Sequence, residues 1–219
     1  MTSTSIQLGR SESAAARRAE SNEFDFARVV GAAAWSRLAP PIRQRFSEKP
    51  KHGEAIHYDG IMHVVHCSAA GWLLAQAARL IGTPFALHAG TDVPVTITLR
   101  GIDHGAAIVW ERTYWYPDHP AAVVSSEKRM AADGGLLECV GAGIAMRLAL
   151  EERCGALHFL SLGYFCKVGF WRIPLPNWLS THVIHEDLGG GRFRFAMTVR
   201  NRLFGLLFHQ DGIFHSKEV

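Results

Sequence analysis

Lysine is scarce in this chain. Lys49, Lys51, Lys128, Lys167 and Lys217 are the only five in 219 residues, and arginine supplies the rest of the basic charge. Schiff-base chemistry therefore has few candidates, of which Lys128 and Lys167 would serve if buried. Cysteine is sparse too. Cys67, Cys139, Cys154 and Cys166 form no C-x-x-C pair, and their spacing offers no zinc site. The N-terminus lacks the apolar core of a secretory signal, so reduced thiols in a cytoplasmic protein are expected. No apolar run reaches the roughly 18 residues that span a bilayer. The longest, Ala69 to Ile81, is interrupted by Gln76 and Arg79. A formal charge of +3, with its basic residues unclustered, argues against nucleic acid as a partner. There is no G-x-S-x-G elbow for serine chemistry. Gly189-Gly190-Gly191 falls between two predicted strands and opens no helix, so it does not form a phosphate cradle. No organic cofactor is implied.

The chain is 48% hydrophobic and 20% charged, which suits one β-rich domain over residues 22–219. Residues 1–21 are rich in Ser, Ala and Arg with little apolar content, and are expected to form a disordered tail. A helix is predicted from Asn22, capped by Ser21 or Asn22. Phe24, Ala27, Val30, Ala34 and Leu38 form its buried stripe, and Pro40-Pro41 ends it. A short second helix covers Ile42 to Phe46, and a third runs from about Ser68 to Ile81, stopped by Gly82 and Pro84.

From residue 92 the period changes to two. Val93, Val95, Ile97 and Leu99 alternate with polar neighbours, and Phe193, Phe195, Met197 and Val199 do so again. Further strands are predicted at Val123–Met130, Ile144–Leu150, Leu157–Cys166, Thr181–Asp187 and Phe204–His215, joined by tight Gly and Asp turns. Roughly eight sequential antiparallel strands tend to curl or close, because long open edges invite aggregation. The expected fold is α+β: N-terminal helices followed by a strongly curved antiparallel β-sheet or barrel, either filled with side chains or enclosing a pocket.

The strand Ile108–Tyr116 carries the densest signal. Alternation puts Ile108, Trp110, Arg112, Tyr114 and Tyr116 on one face, with a guanidinium among apolar and aromatic groups. Arginine keeps its proton, so if that face is internal Arg112 needs an anionic or hydrogen-bonding partner. Two alternatives stand. Arg112 pairs with Glu138 or Glu186 inside the sheet, or it anchors a carboxylate, phosphate or carbonyl-bearing ligand against a wall of Trp110 and Tyr114. Either makes Arg112→Ala destabilising, by about 3–5 kcal/mol for a broken buried pair.

Glu186 shares a strand face with His182 and Ile184, opposite Val183 and His185, and four residues do not decide which face is internal. Inside an apolar cavity its carboxylate would have a raised pKa and act as a general base. His63/His66 and His182/His185 have i,i+3 spacing, which on strands sends the rings to opposite faces, so no metal site is assigned. The segment Pro174-Leu175-Pro176-Asn177-Trp178-Leu179 cannot be a central strand, because proline gives no ladder hydrogen bond. It is an edge or a crossing loop. Trp178, with Phe170 and Trp171 nearby, is apolar enough to lid a cavity or meet a partner.

Several of these pieces together resemble the DUF4166 family of uncharacterised bacterial domains. They are Leu38-Ala39-Pro40, Gly53-Glu54-Ala55, Trp110-x-Arg112-x-Tyr114, Asp133-Gly134-Gly135-Leu136-Leu137-Glu138, Ile173 to Leu179, His185-Glu186, Gly205-Leu206 and Gly212. The resemblance covers about residues 24–215. Where the family usually has a proline before Gly205-Leu206, this chain has Asn201-Arg202. Where it usually has a tyrosine two residues before the final glycine, this chain has Gln210, which marks Gln210 as a candidate ligand-binding position. The resemblance implies that relatives stand alone or are joined to dehydrogenase-like domains, so a partner protein or such a domain is one expectation.

Three functions are compatible with these residues. The first is a ligand-handling module that holds a small amphipathic molecule in a barrel pocket, with Arg112 as polar anchor and Trp110, Tyr114, Gln210, Glu186 and Trp178 as further candidates. The second is a cofactor-independent enzyme using Glu186 or a histidine as acid or base beside Arg112. The third is an interaction domain with a packed barrel that docks a partner through Phe170 to Leu179.

Overall fold

The computed structural model describes residues 24–80, 85–86, 88–141 and 143–216. The expected tail (residues 1–21), the Ser21/Asn22 cap and the helix stop at Gly82 and Pro84 lie outside the described residues.

The predicted first helix is two short ones, α1 (Phe26–Val30) and α2 (Ala32–Arg37). Gly31 separates them with φ of 86°, a conformation an L side chain rarely adopts, so the helical period breaks there. Asp25 caps α1, its carboxylate accepting from the Ala27 N–H at 2.9 Å. Of the predicted stripe Phe24 and Leu38 are buried, whereas Ala27, Val30 and Ala34 are half-buried; Phe26, outside that stripe, is buried as well. Helix α3 (Pro40–Ser47) begins on its two prolines and buries Ile42 and Phe46. Helix α4 (Ala69–Leu80) starts at Ser68, whose hydroxyl accepts from the Gly71 N–H at 3.1 Å.

The described residues form eleven strands: β1 (Ala55–Cys67), β2 (Gly90–Ile102), β3 (Ala107–Tyr114), β4 (Ala122–Met130), β5 (Leu136–Gly141), β6 (Ile144–Arg153), β7 (Ala156–Val168), β8 (Trp171–Pro174), β9 (Leu179–Gly189), β10 (Arg192–Asn201) and β11 (Gly205–Ser216). All pair antiparallel. The order β6-β5-β4-β3-β2-β1-β11-β10-β9-β7, with β6 also bonded to β7, closes a ten-stranded barrel. The expected curved sheet is thus a true barrel with no long open edge. Strand β8 is a short flap on the end of β7, which is how the proline-rich segment becomes an edge. In β7 the register slips at Leu162, which has no partner on β6, so Ser161 and Tyr164 both turn inward.

The two ends of the barrel are closed differently. Helices α1 to α3 plug the end near Leu148, Leu157 and Phe193. There Phe46 meets Phe26 edge-on at 4.9 Å, His185 edge-on at 5.0 Å and Trp110 at 6.1 Å between ring centres. Helix α4 packs on β11 at the opposite end. A Cβ at Gly71 would lie 2.4 Å from the Leu207 carbonyl oxygen, so only glycine permits this approach. Ala75, Val199, Leu207 and Phe208 form a small separate core beneath it.

Candidate functional site

Strand register builds a row across the barrel wall. Lys128 on β4 pairs with Glu138 on β5, Glu138 with Met146 on β6, and Met146 with Tyr164 on β7. The Lys128 Nζ donates to Glu138 Oε1 at 3.0 Å, and the Ser126 hydroxyl donates to the same oxygen at 2.6 Å. Lys128 Nζ also lies 4.2 Å from the centre of the Trp110 ring. The pair is almost fully enclosed, with side-chain exposures of 7% and 10%. Glu138 is the one fully buried carboxylate among the described residues.

Arg112 sits on the same face, between Ile97 and Val124 on neighbouring strands. It is half-buried, with its guanidinium carbon 5.5 Å from the Phe195 ring centre. Its Nε is enclosed and has no hydrogen-bond partner. The expected pair does not form with either acid. Glu138 is bonded to Lys128 and Ser126, and it feels Arg112 only through the field. Glu186 faces the other way. Its carboxylate accepts from Arg194 at 3.3 Å, and Arg194 is held in turn by Asp211 at 2.9 Å. Alternation decided this: His185 points inward and is buried, so Glu186 points outward.

This layer therefore holds two cations, Lys128 and Arg112, against one carboxylate, and Arg45 at the plugged end adds a third whose Nε is also enclosed without a partner. Burial pushes the Glu138 carboxyl up, but Lys128, the Ser126 hydroxyl and Arg112 together hold it below the usual range. Burial pushes Lys128 down, and Arg112 adds to that against the pull of Glu138. His185 is held well below its ordinary value, first by burial and then by Arg45, Lys128 and Arg112, so its ring is neutral.

Two other expected residues meet each other. The Tyr114 hydroxyl donates to Gln210 Oε1 at 2.7 Å, with both side chains buried. Strands β3 and β11 are separated by β2 and β1, so this bond ties together distant parts of the wall. Burial pushes the Tyr114 phenol up and keeps it neutral.

A cavity of about 600 Å³ opens beneath α4, at the end away from the plug. Leu73, Phe85, Val140, Tyr164, Trp178 and Phe204 line much of it. Trp178 stands at its rim, 58% exposed. On its floor the Tyr164 hydroxyl bonds the Thr181 hydroxyl at 2.7 Å, and Val140 is two residues along β5 from Glu138. Arg112 does not line this cavity itself. At the plugged end a void of about 20 Å³ under Arg45, Tyr58, Trp110 and His185 is too small for an organic ligand.

The structure thus gathers Trp110, Arg112, Tyr114 and Gln210 on the interior face, places Trp178 at the cavity mouth, and puts Glu186 on the outside. Sequence reasoning named Lys128 only as a Schiff-base candidate and did not single out Ser126, Tyr164 or Thr181. The bulge at Leu162 hides the inward turn of Tyr164 from a period-two pattern. Among the described residues no three metal-binding side chains gather. His63 bonds Asp92 at 2.7 Å, and His182 bonds His158 at 2.9 Å. None of the described helices is long and apolar enough to cross a membrane.

A closed antiparallel barrel with a cation-rich interior and an apolar mouth defines the class of protein. The chain belongs to the family described as "Domain of unknown function (DUF4166)", which it matches over residues 38–214. Among solved structures it is similar to a putative thioesterase II from Thermobifida fusca, at 9% identity and a TM-score of 0.21, covering 81% of this chain and 84% of that one. It is also similar to the dehydratase domain from the CurJ module of curacin polyketide synthase, at 11% identity and a TM-score of 0.18, covering 74% and 91%. Scores this low carry no functional argument. No curated protein matches the chain.

Proposed function

We propose that this domain binds a small amphipathic molecule with an anionic head, such as a carboxylate, inside the barrel. The head meets Arg112 and the apolar tail runs toward the cavity under α4 and Trp178. One observation carries this reading: Arg112 has an enclosed Nε with no partner, while the one buried carboxylate, Glu138, is already bonded to Lys128 and Ser126. A half-buried guanidinium with an enclosed nitrogen and no acceptor is costly, and a ligand anion would relieve that cost. Trp110, Tyr114 and Gln210 supply the wall around the head, with the Tyr114–Gln210 bond fixing its shape. Glu186, bonded to Arg194 on the outer face, takes no part.

The test is native mass spectrometry of the protein incubated with a mixture of straight-chain alkyl carboxylates. A one-to-one adduct in the wild type that disappears in a folded Arg112→Met variant is the expected result. No adduct, or the same adduct in both proteins, overturns the reading.

A further inference from the structure

The cavity end of the barrel carries an unusual surface. The tip of the β7–β8 hairpin exposes Phe170 and Trp171 at 106% and 78%, and the β10–β11 turn exposes Leu203 and Phe204 at 79% and 66%. Strands β7 and β10 both run away from the plugged end, so both tips project past the cavity mouth on the same end as α4. Such a group of large apolar side chains, contributed by separate segments, marks a docking surface.

Charge identifies what docks there. Three stretches at this end of the barrel, residues 69–80, 160–181 and 198–208, contain no Asp or Glu. They do contain Lys167, Arg172, Arg200 and Arg202, all exposed. Among the described residues none of these four forms an ion pair. Arg200 and Arg202 flank Trp178 around one surface cleft, and Lys167 and Arg172 share another with Glu127, whose carboxylate is bonded to Arg129. The acids found at this end, Asp92 and Asp118, sit on the β2–β4 side, where Asp92 bonds His63. Exposed aromatic tips with arginine and lysine beside them, and no acid in their clefts but the Arg129-bonded Glu127, match the headgroup region of an anionic bilayer. There the rings enter the interface and the cations meet phosphates.

We infer that this end of the barrel docks on an anionic lipid surface, with the Phe170–Trp171 and Leu203–Phe204 tips inserted and the cavity mouth facing the membrane. The inference stands on the surface alone and does not require the interior to hold a ligand.

Co-sedimentation of the full chain with equimolar phosphatidylcholine–phosphatidylglycerol vesicles, against pure phosphatidylcholine, tests it. The wild type is expected to pellet with the anionic vesicles and much less with the neutral ones. The double variant Phe170→Ser/Trp171→Ser, whose side chains support nothing inside, should weaken binding by about ten-fold or more. Arg200→Gln/Arg202→Gln should weaken it by roughly five-fold per arginine. Arg112→Met should bind vesicles as the wild type does, which separates this inference from the interior site. Absence of anionic preference, or unchanged binding by the aromatic double variant, overturns the inference. So does a concentration-dependent dimer in sedimentation velocity that the double variant dissolves, because the surface would then belong to a second copy of the chain.

Discussion

The two ends of this barrel are made from the same strands and finished in opposite ways. At the plugged end, Phe26, Phe46, Trp110, Phe159 and His185 interlock ring against ring and leave a void of about 20 Å³. At the other end, α4 rests on β11 through a glycine and leaves about 600 Å³ lined by apolar groups. Packing density carries stability, so the first end holds the fold together. The second keeps space that a stability-driven core would have filled. Between them lies a polar layer in which positive charge exceeds negative, and Arg112 is its unmatched member.

The contrast breaks most readily by truncation. Phe46→Ala should cost about 3–5 kcal/mol, because the ring is buried in the plug and the cavity left behind cannot collapse. Trp178→Ala removes a larger ring at the open end but should cost less than about 1 kcal/mol in the ligand-free protein, since that ring is mostly exposed. Urea unfolding of the pair measures the difference. Similar losses at both ends would show that the cavity mouth is part of the stabilising core.

The polar layer divides in the same manner. Glu138→Ala should cost about 3–5 kcal/mol, because it strands the buried Lys128 beside the half-buried Arg112. Arg112→Met should change stability by no more than about 1 kcal/mol, since no protein carboxylate loses a bonded partner. This revises the expectation that Arg112 is one half of a buried pair. Thermal unfolding of both variants reads it directly, and a loss at Arg112→Met as large as at Glu138→Ala would restore the pair.

A smaller effect sharpens the account through pH. The folded pKa of His185 is depressed below 6.5, so below that value the unfolded chain binds a proton that the folded chain refuses. Stability therefore falls as pH drops below about 6.5, by up to about 1.4 kcal/mol per pH unit for this one group. His185→Phe should flatten that part of the stability–pH curve relative to the wild type. Glu138 acts lower down. Its folded pKa is depressed, so its contribution is complete above its unfolded value of 4.5 and disappears as pH falls through the folded value.

Strand alternation made the barrel legible, and the inward face of β3 with it. Two features escaped for physical reasons. Strand β5 is short and follows directly on the Asp133-Gly134-Gly135 turn, so its six residues show too little alternation to stand out. The split at Gly31 depends on a backbone angle that apolar spacing does not report. At the site, Arg112 could be placed among aromatics from the sequence, but its partner could not. Whether Glu138, Glu186 or neither meets it depends on which strands become neighbours across the closed wall. Lys128, ambiguous in one dimension, took Glu138 because β4 and β5 pair in that register.

Isothermal titration of a straight-chain alkyl carboxylate and its matching alcohol into wild type and Arg112→Met tests the central claim most directly. The account predicts that wild type prefers the carboxylate by roughly ten-fold or more, the worth of a charge-assisted hydrogen bond, and that Arg112→Met loses this preference while keeping affinity for the alcohol. Equal affinity of wild type for acid and alcohol, or a preference that survives in Arg112→Met, would contradict it.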